Sequence, residues 1–211
     1  MNELERRAFS LDSMKIERRD GSPTRIVGHA SVFNREADIG GWFIESVAPG
    51  AFRRAIVEDD VRALFNHDAN IVLGRNRAMP RATLRLAEDE VGLAIDIDPP
   101  ETQWARDLMV SIERGDVSQM SIGFRAVKQE WDESGDILKR KLLEVELFDV
   151  SPVTFPAFPQ TDVGLRSLNE MGLHTLEAYR KAHPKVAPGL NTRNAAAAIR
   201  GKKQIARTHG Y

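Results

Sequence analysis

Three short segments carry the polar groups that acyl transfer needs: Phe65-Asn66-His67-Asp68, Gln119-Met120-Ser121-Ile122-Gly123-Phe124 and Leu147-Phe148-Asp149-Val150-Ser151. A histidine accepts a proton, a serine attacks a carbonyl carbon, and an acid fixes the imidazole tautomer and stabilises its cation. His67 is the candidate base, because it follows an apolar run and sits between Asn66 and Asp68, a polar pair out of place in a core. His29, His174, His183 and His209 lie in an N-terminal strand, the last predicted helix or the tail. Ser121 is the candidate nucleophile. Met120, Ile122 and Phe124 surround it with apolar groups, and Gly123 leaves room for a substrate backbone. Ser118, beside Asp116 at the strand entrance, is the rival.

Two acids compete for the third place. Strand alternation puts Asp149 on the face of Val145 and Leu147, with Glu144 and Glu146 on the other. An acid on an apolar face needs a partner or costs several kcal/mol, and a histidine supplies one. Asp149 is therefore preferred, with Glu146 as the alternative. His67-Asp68 has no second ligand at helical spacing, so no metal site is expected, and no glycine pattern for a nucleotide cofactor is present. With no cysteine in the chain, disulfides, thiolate metal sites and a cysteine nucleophile are excluded.

These groups need rigid elements. Ile26–Phe33 and Trp42–Val47 read as strands separated by a loop over 34–41, and Val61–Phe65 reads as a buried strand that delivers His67. Pro49-Gly50 opens a short helix with Phe52, Ala55 and Ile56 on one stripe. Thr83–Ala87 and Val91–Ile97 alternate as a hairpin about Glu88-Asp89-Glu90. After Pro99-Pro100 the period becomes helical, with Trp104, Leu108 and Ile112 on one face and Gly115 at the end. Ser118–Trp131 and Ile137–Val150 flank the turn Asp132-Glu133-Ser134-Gly135-Asp136 as a long hairpin carrying the serine and acid candidates on neighbouring strands. A last helix is expected over Asn169–Ala182. The fold class is mainly β with flanking helices, an antiparallel sheet or barrel.

The chain of 211 residues has room for one core and a tail. The net charge of -1 hides an asymmetry: from Ala178 to Tyr211 there are eight basic residues and no acid, which leaves the other 177 residues at -9. An acidic body with a basic tail points to separate tasks. The tail has too little apolar surface to fold alone, so it is a solvated arm or a docking segment. No apolar run approaches the ~20 residues of a membrane span, and the N-terminus lacks a secretory signal.

Five blocks in order resemble those of the HK97-type prohead serine proteases of tailed phages: Gly28–Asn34, Val47–Phe52, Phe65–Asp68, Gly115–Phe124 and Phe148–Ala157. The resemblance spans about residues 5 to 165 and makes 1–166 the protease domain, with 167–211 a C-terminal helix and basic tail. It implies an assemblin-like, largely antiparallel β-barrel and a serine endopeptidase that cleaves scaffold and capsid subunits inside the immature prohead, in the bacterial host cytoplasm. It implies His67 as base, Ser121 as nucleophile and Asp149 as the third member, with no cofactor. The expected partners are the major capsid protein with its scaffolding segment and further copies of the chain, through self-assembly and self-cleavage, without membrane or specific nucleic acid. By analogy, backbone N–H groups over Val153–Phe155 are oxyanion donors. Three positions depart from the family: His29 where an aromatic is usual, Asp149 where Glu is usual, and Pro152 where Leu is common. Asp is one methylene shorter, and Pro152 should interrupt the ladder after the acid. A non-catalytic scaffold on the same fold is the alternative from another class, and a hydrolase of small esters a more distant one.

Overall fold

The computed structural model describes residues 4–10, 14–18, 24–39, 42–135 and 137–155. The predicted last helix and the basic tail lie outside the described residues, as does the 166/167 domain boundary.

Among the described residues, eleven strands and two helices occur in the order β1 (Glu5–Ser10), β2 (Lys15–Glu17), β3 (Arg25–Val32), β4 (Ala37–Ile39), β5 (Phe43–Val47), α1 (Arg53–Glu58), β6 (Arg62–Phe65), β7 (Asp68–Arg75), β8 (Leu84–Glu88), β9 (Gly92–Ile97), α2 (Gln103–Glu113), β10 (Gln119–Asp132) and β11 (Lys139–Val153). The mainly β class with flanking helices is thus observed. Strand pairing divides into a seven-stranded sheet, β1-β10-β11-β5-β4 with the β6–β7 hairpin beside β11, and a four-stranded sheet, β2-β3-β9-β8. No ladder closes these into a barrel among the described residues. One apolar cluster joins the two sheets, with Ile122, Phe124, Leu147 and Val150 from the larger and Ile26, Leu93, Ile95 and Ile97 from the smaller. Burying each such side chain contributes roughly 1.5–3 kcal/mol.

The long hairpin forms as the alternation predicts, but β11 makes two pairings that local pattern does not reveal. Its first half runs parallel to β5 and its second half parallel to β6, with Asp149 opposite Arg62 and Val150 opposite Ala63. This second pairing brings the end of β6, and with it His67, to the strand that carries Asp149.

Four expectations need correction. The stretch 34–41 contains the short strand β4, which pairs antiparallel with β5. On α2 the buried stripe is Ala105, Leu108 and Ile112, whereas Trp104 is 38% exposed, one position off that face. Pro152 does not interrupt the ladder: β11 runs to Val153, with Pro152 opposite Met120. Its carbonyl accepts from Asn66 N–H, so its missing donor would also have faced β6, not β10. The fourth correction concerns the face of Asp149. Gly123 stands opposite Asp149 and Phe124 opposite Leu147, leaving Phe148 as an extra residue in β11. This bulge breaks the alternation, since directly opposed residues share a face. Asp149 therefore lies on the side of Gly123 and Ser121, away from the side that Leu147 and Val145 share with Phe124 and Ala126.

The N-terminal strand is held by a buried ionic cluster. Arg7 forks onto Glu45 at 2.5 and 3.0 Å and reaches Glu5, while Arg140 bonds Glu5 at 2.7 and 2.8 Å and Glu45 at 3.0 Å. Two positive and two negative groups balance, as buried charges require. Burial alone would push the Glu5 carboxyl up, but the Arg140 hydrogen bonds and the charges of Arg7 and Arg140 outweigh it and hold Glu5 below its ordinary value. Among the described residues no helix is long and apolar enough to cross a membrane.

Candidate active site

His67 sits in the tight turn between β6 and β7. Phe65 pairs with Asp68, so Asn66 and His67 are the two central residues of the hairpin, with φ of 53° and 58°. Positive φ at both central positions is the type I′ pattern, which suits the right-handed twist of the strands and favours Asn first and Gly second. A β-carbon in this region costs roughly 1–2 kcal/mol. A histidine held there, where glycine would be easiest, is local strain at a position with a chemical task.

The turn is fastened to the end of β11. Asn66 donates its backbone N–H to Pro152 O at 3.0 Å and its Nδ2 to Thr154 Oγ1 at 3.2 Å, and its Oδ1 accepts from Thr154 N–H at 2.9 Å. The Thr154 N–H, in the segment expected to supply oxyanion donors, is thus engaged by Asn66.

The structure brings His67, Ser121 and Asp149 together. His67 Nδ1 lies 2.6 Å from Asp149 Oδ1, and His67 Nε2 lies 2.7 Å from Ser121 Oγ. Ser121 is fully buried, and the side chains of His67 and Asp149 are 6% and 10% exposed. A carboxylate can only accept, so Nδ1 carries the proton it donates to Asp149, leaving Nε2 to accept from the Ser121 hydroxyl. Asp149, though shorter than Glu, makes its contact because the bulge at Phe148 turns it over Gly123. A β-carbon on Gly123 would lie 2.1 Å from Asp149 Oδ2, so only glycine leaves the carboxylate this place.

The rival residues lie elsewhere. Ser118 is exposed before β10 begins. Glu146 stands opposite Arg125 and pairs with its guanidinium, and Arg125 also lies over the Phe148 ring. His29 bonds Asp89 at 2.8 Å in the smaller sheet. Asp68 caps its own turn by accepting from Asn70 N–H. His174, His183 and His209 lie outside the described residues. Two site contributors escaped the sequence reading: Asn66 as the clamp of the turn, and Ser151, whose Oγ donates to Asp149 Oδ1 at 2.6 Å. Each carried a signal, Asn66 as the favoured first residue of a two-residue hairpin and Ser151 as the i+2 neighbour of the acid.

The sequence pattern of caudovirus prohead serine proteases matches residues 10–174. The chain belongs to that family. Membership makes it a hydrolase of the serine protease class, from a family of phage capsid maturation proteases. It is 30% identical to the prohead protease of Enterobacteria phage HK97 over 164 residues, covering 74% of this chain and 67% of that protein. It is 29% identical to the prohead protease of Escherichia phage T5 over 124 residues, covering 59% of this chain and 53% of that protein. Among solved structures, the bacteriophage T4 capsid assembly protease aligns over 72% of this chain and 98% of its own, with 13% identity and a TM-score of 0.46.

Proposed function

We propose that this chain is a serine endopeptidase that cleaves capsid and scaffold subunits, and its own chain, inside the assembling prohead. The observation that carries the reading is the unbroken relay from Ser121 Oγ through His67 to Asp149, at 2.7 and 2.6 Å. His67 Nε2 takes the Ser121 proton as Oγ attacks the scissile carbonyl carbon. Asp149 holds the imidazole in the required tautomer and stabilises the imidazolium. The imidazolium then protonates the leaving amine, the C–N bond breaks, and an acyl-enzyme remains. Water, deprotonated by His67, attacks the acyl carbon and releases the second product as Ser121 recovers its proton.

Partners follow from the same reading: the major capsid protein with its scaffolding segment, and further copies of this chain. The eight basic residues after Ala178 supply a docking segment for acidic scaffold surface, through contacts that salt screens. The test is coexpression with the major capsid subunit of the same phage, followed by the intact mass of that subunit. Wild type yields the shortened subunit and Ser121→Ala leaves it full length. A shortened subunit with Ser121→Ala refutes the proposal.

A further inference from the structure

We infer that Ser151 is a positioning residue that sets the aim of the Asp149 carboxylate. The inference rests on the Ser121–His67–Asp149 reading above and adds a fourth side chain to it.

Ser151 stands directly opposite Ser121 in the β10–β11 ladder, as Asp149 stands opposite Gly123. The four residues Ser121, Gly123, Asp149 and Ser151 therefore form one patch on one face of the hairpin. Ser151 is fully buried, and its hydroxyl meets Asp149 Oδ1 at 2.6 Å. The direction of that bond is fixed, because a carboxylate offers no proton: Ser151 donates. The same Oδ1 accepts from His67 Nδ1 at 2.6 Å. Oδ2, the other oxygen, rests over Gly123, where no β-carbon fits.

The consequence follows from the freedom of an aspartate. Rotation about its last torsion is broad and roughly two-fold, so burial alone does not hold a carboxylate in one plane. Glycine beneath Oδ2 permits the observed plane but does not enforce it. The Ser151 hydroxyl enforces it, because a second donor on the oxygen that meets the imidazole restricts the torsion to orientations that satisfy both bonds. His67 comes from a two-residue turn in a strained conformation, and Nδ1 of its buried ring bonds Asp149 Oδ1, so the place of that oxygen bears directly on the orientation of the ring. Ser151 thus acts on the base through the acid.

The test uses the full chain and a fluorophosphonate probe, which phosphonylates an activated serine with loss of fluoride and needs no knowledge of the peptide specificity. Two quantities are read, the limiting inactivation rate and the probe concentration at half that rate. Ser151→Ala should lower the limiting rate about tenfold, the share of one charge-assisted hydrogen bond, and leave the half-saturating concentration within about twofold. Ser151→Thr separates positioning from packing. It keeps the hydroxyl but adds a methyl group to a fully buried site, so a packing role makes Thr worse than Ala, whereas a positioning role makes Thr faster than Ala. A Thr variant at or below the Ala rate, or an Ala variant at the wild-type rate, overturns the inference while the wild-type adduct on Ser121 still stands. Failure of the underlying reading looks different: Ser121→Ala is then labelled as fast as wild type.

Discussion

Gly123→Ala is the substitution whose effect the geometry fixes most tightly. The added β-carbon would lie 2.1 Å from Asp149 Oδ2 and 3.1 Å from its Cγ, whereas real β-carbons essentially never approach another heavy atom within 3.0 Å. The carboxylate oxygen must retreat by about 0.9 Å, and the rigid carboxylate carries Oδ1 with it. Directed away from His67, that shift stretches the 2.6 Å contact to as much as about 3.5 Å, the limit at which a hydrogen bond ceases to be one. A misplacement of about 1 Å at a catalytic group costs roughly 100-fold in rate, or about 2.7 kcal/mol, and complete loss of the acid sets a ceiling near 10⁴-fold. The fold should survive, because the obstructing atom ends a side chain and replacing glycine with alanine in an extended strand removes about 0.4–1 kcal/mol of unfolded-state entropy. The assay is cleavage of the capsid subunit, with thermal melting measured in parallel. A Gly123→Ala enzyme that melts within a few degrees of wild type yet cleaves within threefold of its rate refutes the claim that Asp149 must occupy this place.

The remaining predictions concern the two acids, the turn and the buried charges. Asp149→Asn should slow cleavage by up to about 10⁴-fold, since an amide neither enforces the tautomer nor stabilises the imidazolium, whereas Glu146→Gln, which disturbs only the Arg125 pair, should stay within about threefold; the reverse ranking in the same cleavage assay moves the third member to Glu146. Both His67→Gly and His67→Ala should be inactive, but the glycine variant should be the more stable by about 1 kcal/mol in denaturant unfolding, because only it relieves a β-carbon at φ of 58°; equal stabilities would mean that the turn is not strained. Glu5→Gln leaves Arg7 and Arg140 with one carboxylate, Glu45, between them and should cost about 3 kcal/mol at neutral pH. Because the folded Glu5 carboxyl lies below its ordinary 4.5, its stabilisation is complete above that value and is lost as pH falls through the lower folded value. The stability gap between wild type and Glu5→Gln should therefore close below pH 4.5, and a gap that is constant with pH rules the linkage out.

What could be read from the chain divides along physical lines. The β10–β11 hairpin was legible because its pattern is local and Asp132–Asp136 is a strong turn signal, and His67, Ser121 and Asp149 could be chosen because each lies within or just beyond an apolar run. The reason offered for Asp149 was wrong, although the residue was rightly expected to need a partner. Alternation assigns a face only while pairing is regular, and the extra residue at Phe148 reverses it. The parallel pairing of β11 with β6, which delivers His67, joins segments more than 80 residues apart and leaves no local trace. The same holds for the buried cluster of Glu5, Arg7, Glu45 and Arg140, whose members come together only when β1, β10, β11 and β5 line up in one sheet. Pro152 was misread because its effect depends on which neighbour its missing N–H would face.

The central claim is that Ser121 is a nucleophile activated by His67. The most direct measurement is the location of the phosphonyl group after the full-length protein is treated with a fluorophosphonate, read by peptide mass mapping of wild type and of His67→Ala. The account predicts one adduct on Ser121 in wild type and almost none in His67→Ala over the same time. An adduct on Ser118, or one on Ser121 that forms as fast without the histidine, contradicts it.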